Sequence, residues 1–370
     1  MTTTQPVTGR ADLKTFIHYP FALYKNDPHW VPPLLIAEWE RFDPKKNPFF
    51  DHAEVALFVA RRSGRVVGRV AAIDDERHNL AHGDNLVFFG FFEAEDEAAA
   101  DALLSEVETW ARARGRQAVR GPVNLSMNDG SGFQIDAYGT DPFVMMPYNP
   151  PSYPGYAETL GYGKVKDLYA YWFTAEQGMG ERIARIVDRV AARNKAVVRP
   201  ANMKNYRSEL EHVKHIYNDA WEKNWGFVKM TDREFEHFAK ELKMIIDPRI
   251  ALFIEIGGVT AGFCMCIPNI HQVFKRMNGR LLPFGLVHLL RRRSIVDEAR
   301  LAILGLLPEF RNRGLELLLI NEIYQRGRAA GYKRGELSWV LEDNEAMNKG
   351  IEASGAILYK TYRLYQKALS

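Results

Sequence analysis

The sequence predicts an α/β protein of the α+β kind, built as two similar lobes in tandem, each a mixed, mostly antiparallel sheet flanked by helices. Three observations carry this expectation. The chain has 370 residues, more than one ordinary core accommodates, and 46% of them are hydrophobic, enough to fill two. Residues 56–72 and 251–268 each alternate apolar and polar side chains about a central turn, Ser63-Gly64 in one and Gly257-Gly258 in the other, so both read as β-hairpins. The elements after each hairpin follow the same order, and self-similarity of this kind points to two copies of one supersecondary unit.

In the first copy the hairpin leads to an apolar strand at 86–92, an amphipathic helix at 97–114 ended by Gly115, and a strand at 117–123. The second copy repeats this with a strand at 301–307, a helix at 315–330 ended by Gly331, and a strand at 334–340. It also carries an excess, residues 271–293, between hairpin and strand. A boundary at 172–177 gives lobes of 1–175 and 176–370. Residues 181–193 place Ile183, Ile186, Val187 and Val190 at helical spacing and read as a helix that links or opens the second lobe. A short strand at 196–200 and helices at 206–222 and 231–246 follow, the last stopped by Asp247-Pro248. The second lobe thus reads β-α-α-β-β-β-α-β-α-β.

Charge and cysteine usage narrow the function classes. A formal net charge of +3 leaves no global basic field, so DNA is not an expected partner. Cys264 and Cys266, the only cysteines, sit two apart in an apolar run and face the same side of a strand. They read as core thiols in a reducing compartment, neither a disulfide framework nor nucleophiles. The ten histidines show no ligand spacing, so no metal is expected. Residues 1–10 lack an apolar signal core, and no apolar run approaches the roughly 20 residues that span a bilayer, so the expected location is cytoplasmic.

The chemistry is concentrated where the second lobe's buried strand runs straight into a helix, at Gly305-Leu306-Leu307-Pro308-Glu309-Phe310-Arg311-Asn312-Arg313-Gly314-Leu315. Free backbone N–H groups and the helix dipole at such a place hold an anion, and a phosphate fits. This segment resembles the GNAT superfamily, whose motif of Arg or Gln, two residues, Gly, one residue and Gly or Ala opens the helix that binds the CoA diphosphate. Arg311 and Gly314 match it, while Glu316 stands where the family carries a small neutral residue. The resemblance implies a two-lobed tandem GNAT fold, with Leu306, Leu307, Arg311, Asn312, Arg313, Gly314 and Leu315 around the cofactor. Downstream, Asn344, Met347, Glu352 and Gly355 keep the spacing of a second family pattern, which implies that Asn344 and Met347 line the pantetheine and adenine side. Ile351 replaces the family's tyrosine acid. In the first lobe Glu93, Glu95, Asp96 and Glu97 occupy the corresponding helix start; carboxylates cap a helix and repel phosphate, so no CoA is expected there.

Residues 16–171 also resemble a narrower bacterial set of two-lobed GNAT-like proteins related to bacterial ceramide synthases, through Asp27-Pro28-His29-Trp30-Val31-Pro32-Pro33, Phe88-Phe89-Gly90-Phe91-Phe92-Glu93, Gly121-Pro122-Val123-Asn124 and Met146-Pro147-Tyr148-Asn149-Pro150. This resemblance implies transfer of an acyl group, from acyl-CoA or acetyl-CoA and without a metal, to a primary amine such as a sphingoid-like base.

For the acceptor, the polar loop from Asn124 to Gly132 reads either as a turn held by Asx-type bonds or as a binding loop, with Asn128 in it and Asp129 holding the amine or taking its proton. Glu342 and Asp343, after the last central strand, read as a general base or as caps of the next helix, with Glu342 favoured for the chemistry. Trp221, Asn224, Trp225 and Phe227 fall between the helices that flank the acceptor groove in the resembling family, as an aromatic groove or as core. The excess segment interleaves Lys275, Arg276, Arg280, Arg291, Arg292 and Arg293 with Phe274, Leu281, Leu282, Phe284, Leu286, Val287, Leu289 and Leu290. That pattern suits a peripheral contact with the inner membrane face, or an insertion packed on the protein. Two competing readings use the same fold: a non-catalytic binder of a small ligand or peptide, favoured by Glu316 and Ile351, and an aminoacyl transferase using charged tRNA, whose signature is strong salt dependence.

Overall fold

The computed structural model describes residues 1–222, 224–283 and 285–369. Two compact units result. The first comprises Met1–Leu168, Met277–Pro283 and the chain from Lys360 on; the second comprises Tyr169–Arg276 and the stretch that ends at Tyr359. In chain order the first unit holds β1 (Thr2–Pro6), α1 (Arg10–Leu23), α2 (Leu35–Arg41), β2 (Ala53–Arg62), β3 (Arg65–Asp75), α3 (Glu76–His82), β4 (Leu86–Ala94), α4 (Glu97–Arg112), β5 (Ala118–Gly121), β6 (Phe133–Gln134) and α5 (Ser152–Thr159). Strand β7 (Gly163–Thr174) leads into the second unit, which holds α6 (Glu181–Asn194), β8 (Ala196–Pro200), α7 (Tyr206–Trp221), α8 (Asp232–Ile245), β9 (Ala251–Ile256) and β10 (Val259–Pro268). Then come α9 (His271–Met277), α10 (Gly285–Leu290), α11 (Arg292–Ile295), β11 (Glu298–Leu306), α12 (Leu315–Ala329), β12 (Arg334–Leu341) and α13 (Glu345–Ala353). Strand β13 (Ile357–Ala368) closes the chain.

In the first unit the sheet order is β1-β2-β3-β4-β5-β13, with only β4 and β5 parallel among the registered neighbours. The predicted hairpin is β2–β3. Its turn residues Ser63 and Gly64 both take positive φ, 49° and 80°, the pair of left-handed residues that matches the twist of the flanking strands. Every residue of β4 is buried, as expected for a strand covered on both faces. Helix α4 begins at Asp96, whose carboxylate accepts from the Ala99 N–H at 3.0 Å. It packs Leu103, Leu104, Val107 and Ala111 into the core, and the two leucines contribute about 1.5–3 kcal/mol each by burial. Strand β5 stops at Gly121, ahead of the predicted end, because Pro122 has no N–H for the ladder.

The second unit orders β8-β9-β10-β11-β12-β7 and repeats the plan. Its hairpin β9–β10 turns on Gly257 and Gly258, at φ 59° and 83°, and β11–β12 is the parallel pair. Helix α8 opens with a capping box in which the Thr231 side chain accepts from Glu234 N–H and the Glu234 side chain accepts from Thr231 N–H. Strand β11 starts at Glu298, three residues before the predicted strand, and so carries Arg300 into the sheet. The excess segment forms α9, α10 and α11. Its 277–283 portion belongs to the first unit, where the Gly279 carbonyl accepts from Leu35 N–H at 3.0 Å and a side chain at Gly279 would meet Phe21 at 2.5 Å. Phe284 lies outside the described residues.

Candidate active site

The site of the second unit is built on a fork. Strands β11 and β12 pair from Glu298↔Arg334 to Leu301↔Leu337 and then part. The cause lies on the other side of β11, where Met265 pairs Ile303 and Cys266 pairs Leu301, so that Ala302 is an extra residue. A bulge bends its strand and raises its twist. It also resets which face each side chain takes. Leu301, Leu304 and Leu306 join the core under α12 and α6, while Ile303 and Leu307 join the core under α7.

Beyond the fork the chain makes one 3₁₀ turn over Pro308–Phe310 and enters α12 through two left-handed residues, Asn312 at φ 59° and Gly314 at φ 80°. Gly314 is the N-cap residue and offers no side chain to the helix, so the first α12 amides keep no capping partner. Among the described residues, no intramolecular acceptor meets the backbone N–H groups from Asn312 to Leu317. A Cβ at Gly314 would fall 3.0 Å from Val190 Cγ2. Leu306 and Leu315 are buried, Leu307 faces α7, and Asn312 and Arg313 are exposed. Arg313 donates to the Glu309 carbonyl at 2.7 Å. Glu316 is half-buried.

Arg311 points elsewhere. Its guanidinium donates to the carbonyls of Leu306 at 3.3 Å and of Asp219 and Ala220 at 3.4 and 3.1 Å, the exposed carbonyl end of α7. The arginine therefore ties α7 to the end of β11. The anion-holding groups of this turn are backbone amides. Trp221 closes the same seam: a methyl on Gly305 would lie 2.5 Å from its ring, and Tyr217 lies tilted against it with centroids 4.9 Å apart. Asn224 and Trp225 sit in the turn that follows, where Asn224 N–H donates to the Trp221 carbonyl at 2.8 Å and the Asn224 carbonyl accepts from Phe227 at 3.1 Å. The Tyr217, Trp221 and Phe227 rings thus wall the α7 side of β11.

A charged cluster that sequence reasoning missed locks the fork on that face. Glu336 is fully buried, with its carboxylate accepting from the Ser338 hydroxyl and the Tyr359 hydroxyl. Arg300, its cross-strand partner, lies 4.0 Å away and donates to Ser338 Oγ at 2.7 Å and to its carbonyl at 3.0 Å. With both oxygens engaged and no exposure, Glu336 is an anchor rather than a base. The sequence signal was the charges Arg300 and Glu336, which fall inside two strands whose following residues are mostly apolar.

At the end of β12, Asn344 is the N-cap of α13 and accepts from Met347 N–H at 3.3 Å, so the cap is Asn344 and not Asp343, which is exposed. Met347 packs in a small core with Tyr171, Leu337 and Ile351. Ile351 is only 2% exposed there. Asn348 joins these parts, donating to the carbonyls of Leu341 and Glu342 at 3.1 and 3.3 Å and accepting from the Tyr171 hydroxyl at 3.0 Å. Burial pushes that phenol up to about 12. Glu342, the residue after β12, is half-buried.

Asp129 and Asn128 belong to the first unit. The Asp129 carboxylate accepts from the Ser126 N–H and hydroxyl at 3.3 and 2.9 Å, and Asn128 N–H donates to Ser126 Oγ at 3.1 Å. Cys264 and Cys266 are buried free thiols, held well above the usual thiol range by burial. Among the described residues no cluster of three His, Cys, Asp or Glu side chains is placed to hold a metal, and no helix is long and apolar enough to cross a membrane.

No family model matches the chain. It is 40% identical over 372 residues, covering 98% of the chain and 97% of its relative, to the bacterial ceramide synthase of Caulobacter vibrioides (strain NA1000 / CB15N). It is 34% identical to protein YghO of Escherichia coli (strain K12), over 98% of the chain and 94% of that protein. Among solved structures, a tandem GNAT protein from the clavulanic acid biosynthesis pathway covers 100% of the chain and 99% of its own length at a TM-score of 0.58 and 13% identity. A GCN5-related N-acetyltransferase from Sphaerobacter thermophilus does so over 100% and 96% at 0.55 and 15%. The two structures share the fold, and the two sequence relatives fix the kinship: this chain is a tandem GNAT-fold acyltransferase belonging to the family of the bacterial ceramide synthase.

Proposed function

We propose that this chain transfers the acyl group of an acyl-CoA thioester to the nitrogen of a primary amine, with a lipid-like amine of the sphingoid kind as acceptor. The observation that carries the reading is the run of uncapped amides from Asn312 to Leu317 at the end of a strand that has left its neighbour. Those amides and the α12 dipole suit a diphosphate, and the fork offers strand edges against which a pantetheine chain can lie. The acceptor class is suggested by the name of the 40% identical relative.

In this reaction the amine nitrogen bonds to the thioester carbonyl carbon and gives up a proton, the carbon–sulfur bond breaks, and the CoA thiolate takes up a proton. N–H groups of β11 beyond Leu301, on the edge that β12 has left, would polarise the carbonyl. We assign proton removal to Glu342, at the open end of β12. Ile351, buried where the family resemblance implies a tyrosine, leaves thiolate protonation to water. Free-thiol release from palmitoyl-CoA in the presence of sphinganine tests the reading. Glu342→Gln should lower kcat about 100-fold and leave thioester binding unchanged, while Asp129→Asn should not. Thiol release that is independent of the amine would sink it.

A peripheral contact with an acidic membrane face belongs to the same proposal. On α10 Leu286, Val287 and Leu290 are 42%, 45% and 76% exposed, and Arg291, Arg292 and Arg293 follow directly. Co-sedimentation with phosphatidylglycerol vesicles should be lost in Leu290→Glu; equal sedimentation of both proteins would refute the contact.

A further inference from the structure

The geometry points to an acyl-chain pocket inside the second unit, reached from the fork and running beneath α12. This rests on the acyl-CoA reading above and adds where the hydrocarbon goes. A cavity partly open to solvent lies there, its empty space of about 640 Å³ counting that open part. Ala299, Leu301 and Leu337 form its floor, Cys266 one side, and Ile320 and Ile323 its roof. Two of these residues place it against the chemistry. Leu301 and Leu337 are the last rung of the β11–β12 ladder, so the cavity begins where the strands part. The Ala302 bulge matters here too, because it lets Ala299 and Leu301 stay on the α12 face while the next residue on that face is Leu304.

A second observation is independent of the fork. Gly327 lies buried within α12 and lines the cavity, and a Cβ there would have Ile250 Cγ2, at 3.9 Å, as its one neighbour within 4 Å. Glycine inside a helix is the less stable choice, so this position gives up helix stability while keeping the cavity wide. The exposed Arg328, Lys333 and Arg334 ring the outer opening, and no lining residue within offers a free charge to an anionic or cationic ligand: Glu336 is already bonded to Ser338 and Tyr359. An unbranched hydrocarbon, anchored at the fork by its thioester, fits this distribution.

The test compares acetyl-CoA with palmitoyl-CoA, by titration and by turnover with one amine, in the full chain and in Gly327→Ala and Gly327→Phe. Each methylene buried strengthens binding by roughly a factor of four at the upper limit, so the native chain should prefer palmitoyl-CoA by at least about tenfold. Gly327→Phe should erase that preference and keep acetyl-CoA affinity within about twofold, which also reports that the variant is folded; should it fail to fold, Ile323→Phe is read in the same way. Gly327→Ala should keep the preference to within about threefold. A Gly327→Phe protein that retains the palmitoyl preference, or in which only the KM for the amine rises, overturns the pocket. Binding of acetyl-CoA without any palmitoyl preference in the native chain overturns the pocket alone, whereas binding of neither thioester overturns the acyl-CoA reading beneath it.

Discussion

The two units treat the same junction, a parallel strand pair feeding a helix, in opposite ways. In the first, β4 and β5 pair from Leu86↔Ala118 to Phe88↔Arg120, and two further bonds then hold them together: Val123 N–H donates to the Phe89 carbonyl at 2.8 Å, and Phe91 N–H donates to Asn124 Oδ1 at 2.7 Å. Gly90 is what lets the backbones meet, since a Cβ there would sit 2.0 Å from the Val123 carbonyl oxygen. The following helix is sealed by Asp96, held at about 2 chiefly by its bond to Arg62. In the second unit the ladder ends at Leu301↔Leu337, no further backbone hydrogen bond among the described residues stitches the gap, and the helix begins on a glycine with its amides bare. A bulge is present in both, at Phe91–Phe92 against β3 and at Ala302 against β10, so the bulge alone does not open a site. The residues just after the strand decide whether the junction is a core or a ligand seat.

The largest expected effect breaks the closed junction. Gly90→Ala should cost the first unit more than about 4 kcal/mol in urea unfolding, because the clash is with backbone that cannot give way. A variant of native stability would mean that the strands are not held as described.

A pH titration of stability comes next. Glu93, at the end of β4, is pushed up to about 7 by burial, against the pull of Arg69 and the phenols of Tyr24 and Tyr153. Below pH 4.5 both folded and unfolded chains hold this proton; between 4.5 and 7 the unfolded chain releases it first, so stability falls as pH rises through that window. Glu93→Gln should flatten this fall, on the order of 3 kcal/mol, in the first unit's unfolding transition. An unchanged pH profile would contradict it.

The smallest effect sharpens the open junction. Glu316, in the first turn of α12, lies beside the proposed diphosphate and should weaken it by like charge. Glu316→Gln should tighten CoA binding about threefold at low salt, an advantage that fades at about 0.5 M salt by screening. A loss of affinity would mean that the carboxylate is part of the site.

Much of this contrast was legible along the chain. Residues 196–200, both hairpin turns and the starts of α4, α6 and α12 fall where periodicity and glycine place them, because those signals are local. The acidic start of α4 and the bare start of α12 were readable for the same reason. Nothing local announces that Arg311 bonds to α7 carbonyls, 91 and 92 residues away in sequence, or that Arg300 and Glu336 meet across a ladder. Nor does the segment 271–293 show that part of it belongs to the first unit. These depend on register and packing, which a pattern of residue types leaves open. The capping role of Asn344, by contrast, is a local signal that the neighbouring Asp343 obscured.

The most direct measurement is the affinity of acetyl-CoA for the native chain and for Gly314→Val, by isothermal titration at low salt. The valine must adopt φ near +80° with its Cβ 3.0 Å from Val190, which misdirects the α12 amides, so binding should weaken about 100-fold while the protein loses only about 1–2 kcal/mol of stability. Equal affinity in the two proteins would contradict the amide seat for the diphosphate, and with it the site assigned to the second unit.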